Sequence, residues 1–207
     1  MKTRHYTLQQ ILDDRTALAV VARQVNKGAV VVYPTETIYG IGGIATDDMV
    51  RGRIFEAKQR PEKNPLILIA SRPEEFDYLK LDFPSAAHRL TERFWPGNLT
   101  LVLNVRGTDE TVAIRVSDHP FIKSLLALVR APLFSTSANV SGKAYNPDPK
   151  SIAQTFDGKV DYFIDAGWLV PRSPSTVVRA TPDNIVVMIR EGAVSTTEIQ
   201  TVVARVY

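Results

Sequence analysis

The chain has 207 residues, 44% hydrophobic and 23% charged, a composition typical of a globular protein with one large domain. It contains no cysteine, which excludes disulfides, thiolate nucleophiles and zinc–thiolate sites and fits a reducing, cytoplasmic location. No apolar run is long enough to cross a membrane, and the charged N-terminus lacks the apolar segment of a signal peptide. The three histidines have no metal-ligand spacing, so we expect no metal site built by the protein.

The sequence alternates between helical and extended patterns. Hydrophobic periodicity predicts the helices, and short apolar runs predict buried strands. Gly28 ends the first helix, Thr46 caps the second, the Trp95–Asn98 turn follows the third, and a capping box from Ser195 to Glu198 opens the last. The predicted helices are residues 8–27, 46–58, 84–94, 120–129, 148–156 and one beginning at 195, and the predicted strands are 29–33, 66–70, 99–105, 112–116, 133–136, 162–165, 176–179 and 185–189.

This alternation favours an α/β fold, in which helices pack on a sheet that has some antiparallel pairs late in the chain. Ligands of open sheets bind beyond the strand ends, where loops begin. We therefore expect the functional side chains to follow directly after strands.

A segment rich in hydroxyl groups and glycine follows the first predicted strand. It reads PTETIYGIGG, from Pro34 to Gly43. Glycines allow close approach of the backbone, and hydroxyl groups orient a small polar ligand. A structural turn with satisfied hydroxyls is the alternative interpretation. The sequence has neither a Walker A loop nor a Rossmann fingerprint.

Basic residues cluster near the end of the second predicted helix, although the net charge is only +3. The helical period places Lys58 at the border of the buried stripe, and Arg60 precedes a proline of fixed φ. A compact and a planar cation together suit phosphates or a carboxylate. A solvated basic helix face, with Lys58 snorkelling to water, is the alternative. The cluster comprises Arg51, Arg53, Lys58, Arg60 and Lys63.

The segment STSANVSG, from Ser135 to Gly142, also follows a predicted strand and is dense in donors and acceptors. The alternative is a serine-rich loop that caps the next element. No G-x-S-x-G motif is present, which disfavours a serine hydrolase.

Arg115 lies inside a predicted strand among apolar neighbours. A charge there costs free energy unless it meets an anion, so Arg115 either contacts a ligand or forms an internal ion pair. Arg190 leaves a later strand just before a glycine, in IREG. Between the two arginines, the loop Arg172–Thr176 carries hydroxyl groups braced by a proline.

Taken together, these segments resemble the YrdC/TsaC family of threonylcarbamoyl-AMP synthases. The resemblance covers about residues 10–200, and its most specific parts are the K-x-R element (Lys58, Arg60) and the S-x-N element (Ser137, Asn139). The matching segments, in order, are PTETIYGIGG, KQRPEKNPL, RFWPGNLTLVL, AIRVSDHP, STSANVSG, SPSTVV and IREG.

The resemblance implies one YrdC-like domain over residues 1–207, of the short type, with a twisted open mixed sheet flanked by helices around a deep basic cavity, related to the RibB-type fold. It implies formation of threonylcarbamoyl-AMP and pyrophosphate from L-threonine, bicarbonate or CO2, and ATP, for N6-threonylcarbamoyladenosine modification of tRNA. Mg²⁺ would be carried on the ATP phosphates. Proteins that transfer the threonylcarbamoyl group would be partners, with tRNA or double-stranded RNA as a further one.

The resemblance also implies a binding role for nine side chains. Such a reaction needs two anions brought together and their developing charge stabilised, rather than a protein nucleophile. The implied roles are catalytic for Lys58 and Arg60, L-threonine binding for Thr35, Arg115 and Ser175, and nucleotide binding for Lys58, Ser137, Asn139, Ser141 and Arg190.

Two other functions stay open from the sequence. An RNA-binding module would hold a phosphate backbone in the basic cavity, with an affinity that falls steeply with salt and ignores threonine. The sequence lacks the RRM aromatic signature and the GXXG clamp, which disfavours sequence-specific RNA recognition. A related enzyme acting on another small acid would form an adenylate without requiring threonine.

Overall fold

The computed structural model describes residues 2–61, 65–170, 173–203 and 206–207. Lys63 of the predicted basic cluster and Arg172 of the predicted hydroxyl loop lie outside the described residues. In the described part of the chain, one open mixed sheet is flanked by helices, as the sequence predicts. Its strands are β1 Arg4–Thr7, β2 Val31–Tyr33, β3 Gly40–Ile44, β4 Ile67–Ala70, β5 Leu99–Asn104, β6 Thr111–Val116, β7 Leu133–Ser137, β8 Tyr162–Asp165, β9 Thr176–Ala180 and β10 Val186–Arg190.

Seven α-helices and one 3-10 helix join these strands within the described ranges. None of them is both long and apolar enough to cross a membrane. The helices are α1 Leu8–Asp13, α2 Arg15–Val25, α3 Asp48–Lys58, α4 Ser85–Phe94, α5 Pro120–Val129, α6 Pro149–Phe156 and α7 Thr196–Gln200, and the 3-10 helix is Pro73–Leu79.

The strand order is β1-β8-β2-β3-β7-β4-β6-β5-β9-β10. The pairs β1–β8, β2–β8, β4–β6 and β5–β9 are parallel, and the other neighbours are antiparallel. The antiparallel pairing expected late in the chain is confirmed by β9 and β10, and antiparallel pairs also occur early. The early strands β2 and β3 already pair antiparallel, because the short segment between them returns the chain alongside itself.

The two halves of the sheet are covered differently, and this positions the site. Strand β2 is buried on both faces: Val31 and Tyr33 pack with α2 and α5, while Val30 and Val32 pack with α3 and α6. At the other end, one face of β5, β6 and β9 packs on α4 and α7 in a third cluster. The opposite face of these strands carries apolar side chains together with Arg115 and Arg179 and forms one wall of a cavity.

The predicted helix over residues 8–27 is two helices. The Asp14 carboxylate accepts hydrogen bonds from the backbone of Thr16 at 2.8 Å and Ala17 at 3.1 Å, so it caps α2 and breaks the longer helix. The predicted cap at Thr46 was also wrong. Asp47 caps α3 by accepting from the Met49 backbone at 2.8 Å.

Strands β1 and β3 and the 3-10 helix were missed from the sequence. In β3, GIGGI has too many glycines to resemble a strand. The pairing requires one of them: a Cβ on Gly42 would overlap the carbonyl oxygen of Phe134 on the neighbouring β7 and lie 2.7 Å from the Tyr33 hydroxyl. The close approach of two strands, not local propensity, therefore selects glycine there.

Candidate functional site

A cavity of about 450 Å³ lies on the open face of the sheet, with lining side chains from the loop before β3 through to β10. It brings together segments that are distant in the sequence, as the sequence analysis required. Six of the nine predicted side chains line it, and these are Thr35, Arg60, Arg115, Ser137, Ser175 and Arg190.

The cavity is strongly cationic. Four arginines line it, and no Asp or Glu does so among the described residues. Burial lowers the pKa of the Arg190 guanidinium below its ordinary value, with repulsion from Arg115 adding to this, and burial lowers that of Arg60. Low-dielectric walls lined by one sign of charge attract anions. The four arginines are Arg60, Arg115, Arg179 and Arg190.

Arg115 fits both interpretations that the sequence left open. Its side chain is only 5% exposed, and its Nη1 lies 3.5 Å from Oε1 of Glu36, which makes an internal ion pair. It also lines the cavity, and its buried Nε has no hydrogen-bond partner among the described residues. The Ser117 hydroxyl donates to Oε2 of Glu36 at 3.0 Å and so orients the carboxylate. Sequence reasoning noted a carboxylate in PTETIYGIGG but gave it no role.

Ser175 and Arg190 lie together at one end of the cavity. Nη2 of Arg190 donates to the Ser175 carbonyl at 2.8 Å, and the Ser175 hydroxyl is 3.0 Å from that of Thr100. The resemblance placed these two residues at different substrates. Their contact puts both of them at the same part of the cavity, near Arg115.

Thr35 is buried at the base of the cavity, where it holds a tight turn. Its hydroxyl donates to the Ile38 carbonyl at 2.6 Å and accepts from the backbone of Thr37 at 3.1 Å and Ile38 at 3.2 Å. The structural-turn interpretation of this segment is therefore correct for Thr35. The same turn carries Glu36 to Arg115, so the turn also shapes the site.

Lys58 is 1% exposed, so it does not snorkel to water. Its ammonium donates to the carbonyls of Ser137 and of Asn139, the latter at 2.6 Å, and its own carbonyl accepts from the Ser141 backbone at 2.9 Å. Burial lowers the pKa of Lys58 to about 8, with repulsion from Arg60 adding to this. Lys58 thus holds the S-x-N segment from behind rather than lining the cavity.

Asn139 and Ser141 also lie outside the cavity wall. The Ser137 hydroxyl donates to Oδ1 of Asn139, whose Nδ2 donates to the Lys143 carbonyl at 2.7 Å. Asn139 lines a separate cavity of about 340 Å³ on the other side of this segment. The Ser141 hydroxyl is buried without a hydrogen-bond partner. The structure therefore does not bring these two side chains and Lys58 to the arginine-lined cavity.

The basic cluster near α3 is divided among several roles. Arg51 pairs with Asp48 at the surface at 3.2 Å, and Arg53 pairs with Asp161 at 2.9 Å. Of the members of this cluster that the structure describes, Arg60 alone lines the cavity. The solvated-face interpretation is therefore correct for Arg51 and wrong for Lys58 and Arg60.

The functional side chains were expected after strand ends, and this was only partly correct. Arg115 lies within β6, and Ser137 is the last residue of β7. The cavity therefore spans the face of the sheet as well as its edge. Sequence reasoning missed Arg179 of β9, which alternation with Val177 and Ser175 on one face could have indicated.

The described residues contain no group of three or more His, Asp or Glu side chains that could hold a metal ion. Any divalent cation at this site would need most of its ligands from elsewhere, such as phosphate oxygens.

The structure is thus an α/β protein with an open mixed sheet and an arginine-lined cavity on one face. A family model described as "Telomere recombination" (Sua5/YciO/YrdC) matches residues 23–192. The chain belongs to this family, as the resemblance of its motifs predicted.

Similar proteins carry a consistent name. The chain is 36% identical over 91% of its length to the threonylcarbamoyl-AMP synthase of Pyrococcus abyssi, and 32% identical over 100% to that of Bacillus subtilis. It spans 58% and 63% of the lengths of these two proteins. A crystal structure of P. abyssi Sua5 complexed with L-threonine matches with a TM-score of 0.84 and 34% identity, covering 94% of this chain and 60% of that one.

Proposed function

We propose that the protein is a threonylcarbamoyl-AMP synthase, which converts L-threonine, bicarbonate or CO2, and ATP into threonylcarbamoyl-AMP and pyrophosphate. The observation that carries the proposal is the convergence of six predicted side chains on one cavity with four arginines. Similarity to synthases of this name over most of the chain supports it.

The reaction suits a cationic cavity without a protein nucleophile. The neutral threonine amino group attacks CO2 and releases a proton to solvent, which gives an N-carboxylate, and one oxygen of that carboxylate attacks the α-phosphorus of ATP. The bond from that phosphorus to the bridging oxygen breaks, and pyrophosphate leaves. Catalysis consists of positioning two anions and stabilising the charge that develops on phosphate oxygens.

The threonine end of the cavity is the deep part around Arg115. Its partnerless Nε can donate to a carboxylate, and Glu36 holds the guanidinium in place from behind. Ser175 and Arg190 lie beside it and add hydroxyl, carbonyl and guanidinium groups. We assign Arg190 to this end because of its contact with Ser175.

The nucleotide end is the part around Arg60 and Ser137. A guanidinium binds phosphate oxygens through two parallel hydrogen bonds. Lys58 contributes its charge from behind the Ser137–Asn139 backbone and fixes that segment through two carbonyls. Asn139 and Ser141 support the same segment and do not contact the base or the phosphates directly.

Mg²⁺ would be carried by the ATP phosphates, since carboxylates are absent from the cavity lining among the described residues. It would neutralise phosphate charge. The labile product would pass to proteins that transfer the threonylcarbamoyl group to tRNA, in the cytoplasm.

The test is pyrophosphate release from ATP with and without L-threonine, in the presence of bicarbonate. We expect release that depends on threonine, and its loss in Arg60→Ala. The matched control is Arg106→Ala, which removes a 72%-exposed arginine paired with Asp82 away from the cavity and leaves the rate unchanged.

Two outcomes would overturn the proposal. Release that ignores threonine would assign the cavity to another small acid. Salt-sensitive binding of double-stranded RNA without any pyrophosphate release would assign it to a phosphate backbone.

A further inference from the structure

Arg179 is a cavity arginine that the proposed reaction leaves without a role. It lies on β9, where Ser175, Val177 and Arg179 line the cavity, while Thr176 and Val178 are buried on the opposite face. The alternation of strand side chains therefore fixes the direction of Arg179. In the sheet, Arg179 is paired with Val102 of the neighbouring β5, and Val102 also lines the cavity.

The guanidinium of Arg179 has little to bind in the described protein. A guanidinium carries five N–H donors. The one hydrogen bond that Arg179 makes to the described residues is long, at 3.4 Å from Nη2 to Oδ1 of Asn104. Its Nε is buried without a partner, and no carboxylate oxygen of the described residues lies within the 4.0 Å of an ion pair. A buried N–H donor that lacks a partner among the described residues marks a position at which an oxyanion from solution can bind.

Arg179 and Arg115 start from different positions on the cavity face. Ile114 of β6, Leu101 of β5 and Val178 of β9 lie side by side in register. Because β6 runs opposite to β9, Arg179 is two strands across and two residues along from Arg115. With usual strand spacing and rise, their Cα atoms are about 12 Å apart. Arg179 therefore extends the cationic lining of the cavity beyond the strand position of Arg115.

Polar neighbours complete this end of the cavity. Thr111 lines it and is exposed, which places it at the mouth, and it pairs in register with Asn104 of β5. A hydroxyl and an amide thus lie on the strands next to a guanidinium.

We propose that Arg179, with Thr111 and Asn104, forms a second oxyanion-binding subsite at the mouth of the cavity. Its ligand is a carboxylate, bicarbonate or phosphate oxyanion, since a planar guanidinium binds each of these through paired hydrogen bonds. The identity of the oxyanion rests on the proposed function, in which threonine, bicarbonate and ATP each bring one. The existence of the subsite does not depend on it.

The test is Arg179→Gln, which keeps a donor for Asn104 and removes the charge. The KM is measured separately for ATP, bicarbonate and L-threonine. We expect one of the three to rise about tenfold or more, the effect of losing one charged hydrogen-bonding contact, while Tm stays unchanged. The substrate whose KM rises identifies the oxyanion. Arg106→Gln is the control and leaves all three values unchanged.

A second measurement needs no turnover. Pyrophosphate, bicarbonate and L-threonine are titrated separately, and the rise in Tm is followed for the wild type and for Arg179→Gln. We expect the variant to lose stabilisation by one of these three ligands. This readout decides about Arg179 even if the wild type forms no adenylate, so failure of the proposed function is distinguishable.

The subsite is overturned if all three KM values and all three ligand-induced shifts in Tm match the wild type. A lower kcat together with a lower Tm, at unchanged KM, would also overturn it, because that pattern is expected from a purely structural arginine.

Discussion

At the scale of single residues, the cations in and behind the cavity wall have different partners. The guanidinium of Arg115 pairs with the Glu36 carboxylate, that of Arg190 donates to the Ser175 carbonyl, and the Lys58 ammonium donates to two carbonyls. The carbonyl oxygens orient Arg190 and Lys58 and leave their charge in place, whereas Glu36 supplies a counter-charge to Arg115.

The Glu36–Arg115 pair makes a stability prediction. Their side chains are 11% and 5% exposed, so Glu36→Gln leaves a buried guanidinium without its counter-charge. Losing one partner of a buried ion pair costs about 3 kcal/mol of unfolding free energy. We expect a clear fall in Tm on thermal denaturation.

The double variant Glu36→Gln/Arg115→Gln should recover part of that loss, which a double-mutant cycle measures. The surface pair is the control: Asp48→Asn removes a partner that is 83% exposed and should cost about 1 kcal/mol or less. Equal effects at the two sites would contradict the buried-pair interpretation.

The lowered pKa of Lys58 predicts a pH dependence of ATP binding. Burial brings this pKa to about 8, from 10.5. As pH rises through about 8, the folded protein loses the ammonium charge behind the proposed nucleotide end of the cavity. The Kd for ATP should therefore rise between about pH 7 and about pH 9.5. Calorimetric titration measures it, and Lys58→Met should bind more weakly with no such step.

The same lowered pKa makes the protein more stable as pH rises, whereas it makes ATP binding weaker. Between pH 8 and 10.5 the unfolded chain binds more protons at Lys58 than the folded protein does, so this group makes unfolding free energy rise with pH in that window. A Kd for ATP that is flat across pH 8 would contradict the placement of the Lys58 charge beside the nucleotide.

At the scale of elements, Gly42 and Gly52 allow a controlled comparison, because the same substitution to alanine should have opposite effects on stability. Gly42→Ala puts a Cβ into the Phe134 carbonyl oxygen and must push β3 away from β7, so we expect a loss of about 2 kcal/mol or more of unfolding free energy. Gly52 lies inside α3 with nothing within 4 Å of its added Cβ. Gly52→Ala should gain about 0.5–1 kcal/mol from helix propensity.

Chemical denaturation of both variants measures the difference. A neutral Gly42→Ala would show that the β3–β7 approach is looser than the structure has it. A destabilising Gly52→Ala would show that α3 is not a regular helix at that point.

The elements that the sequence predicted are those whose signal is local. Apolar runs such as β2 and β4 are visible because both faces are buried, and the capping box at Ser195 opens α7 as expected. The strand β3 was not predictable, because its glycines are required by a neighbour that only the folded sheet supplies.

The same distinction applies to the site. Arg115 was predictable because a cation among apolar strand residues is conspicuous by itself. The direction of the Lys58 ammonium was not, since two carbonyls some 80 residues later determine it. Arg179 becomes informative only when the register shows which face of β9 it occupies. The single-domain organisation and the relation to the RibB-type fold stay predictions.

At the scale of the whole molecule, the strand order makes the site. The chain places β6, β5, β9 and β10 side by side, so that arginines from three of these four strands meet on one face. Helices α4 and α7 cover the other face, and the opposite half of the sheet is covered on both. A mixed sheet covered unequally therefore leaves one polar face open for a ligand.

The central claim is that one cavity joins an amino acid, inorganic carbon and a nucleotide. Incubation with ATP, isotopically labelled bicarbonate and isotopically labelled L-threonine, followed by mass spectrometry, tests it most directly. The account predicts one adenylate that carries both labels, formed together with pyrophosphate and lost in Arg60→Ala. An adenylate without either label, or no adenylate at all from folded protein, would contradict it.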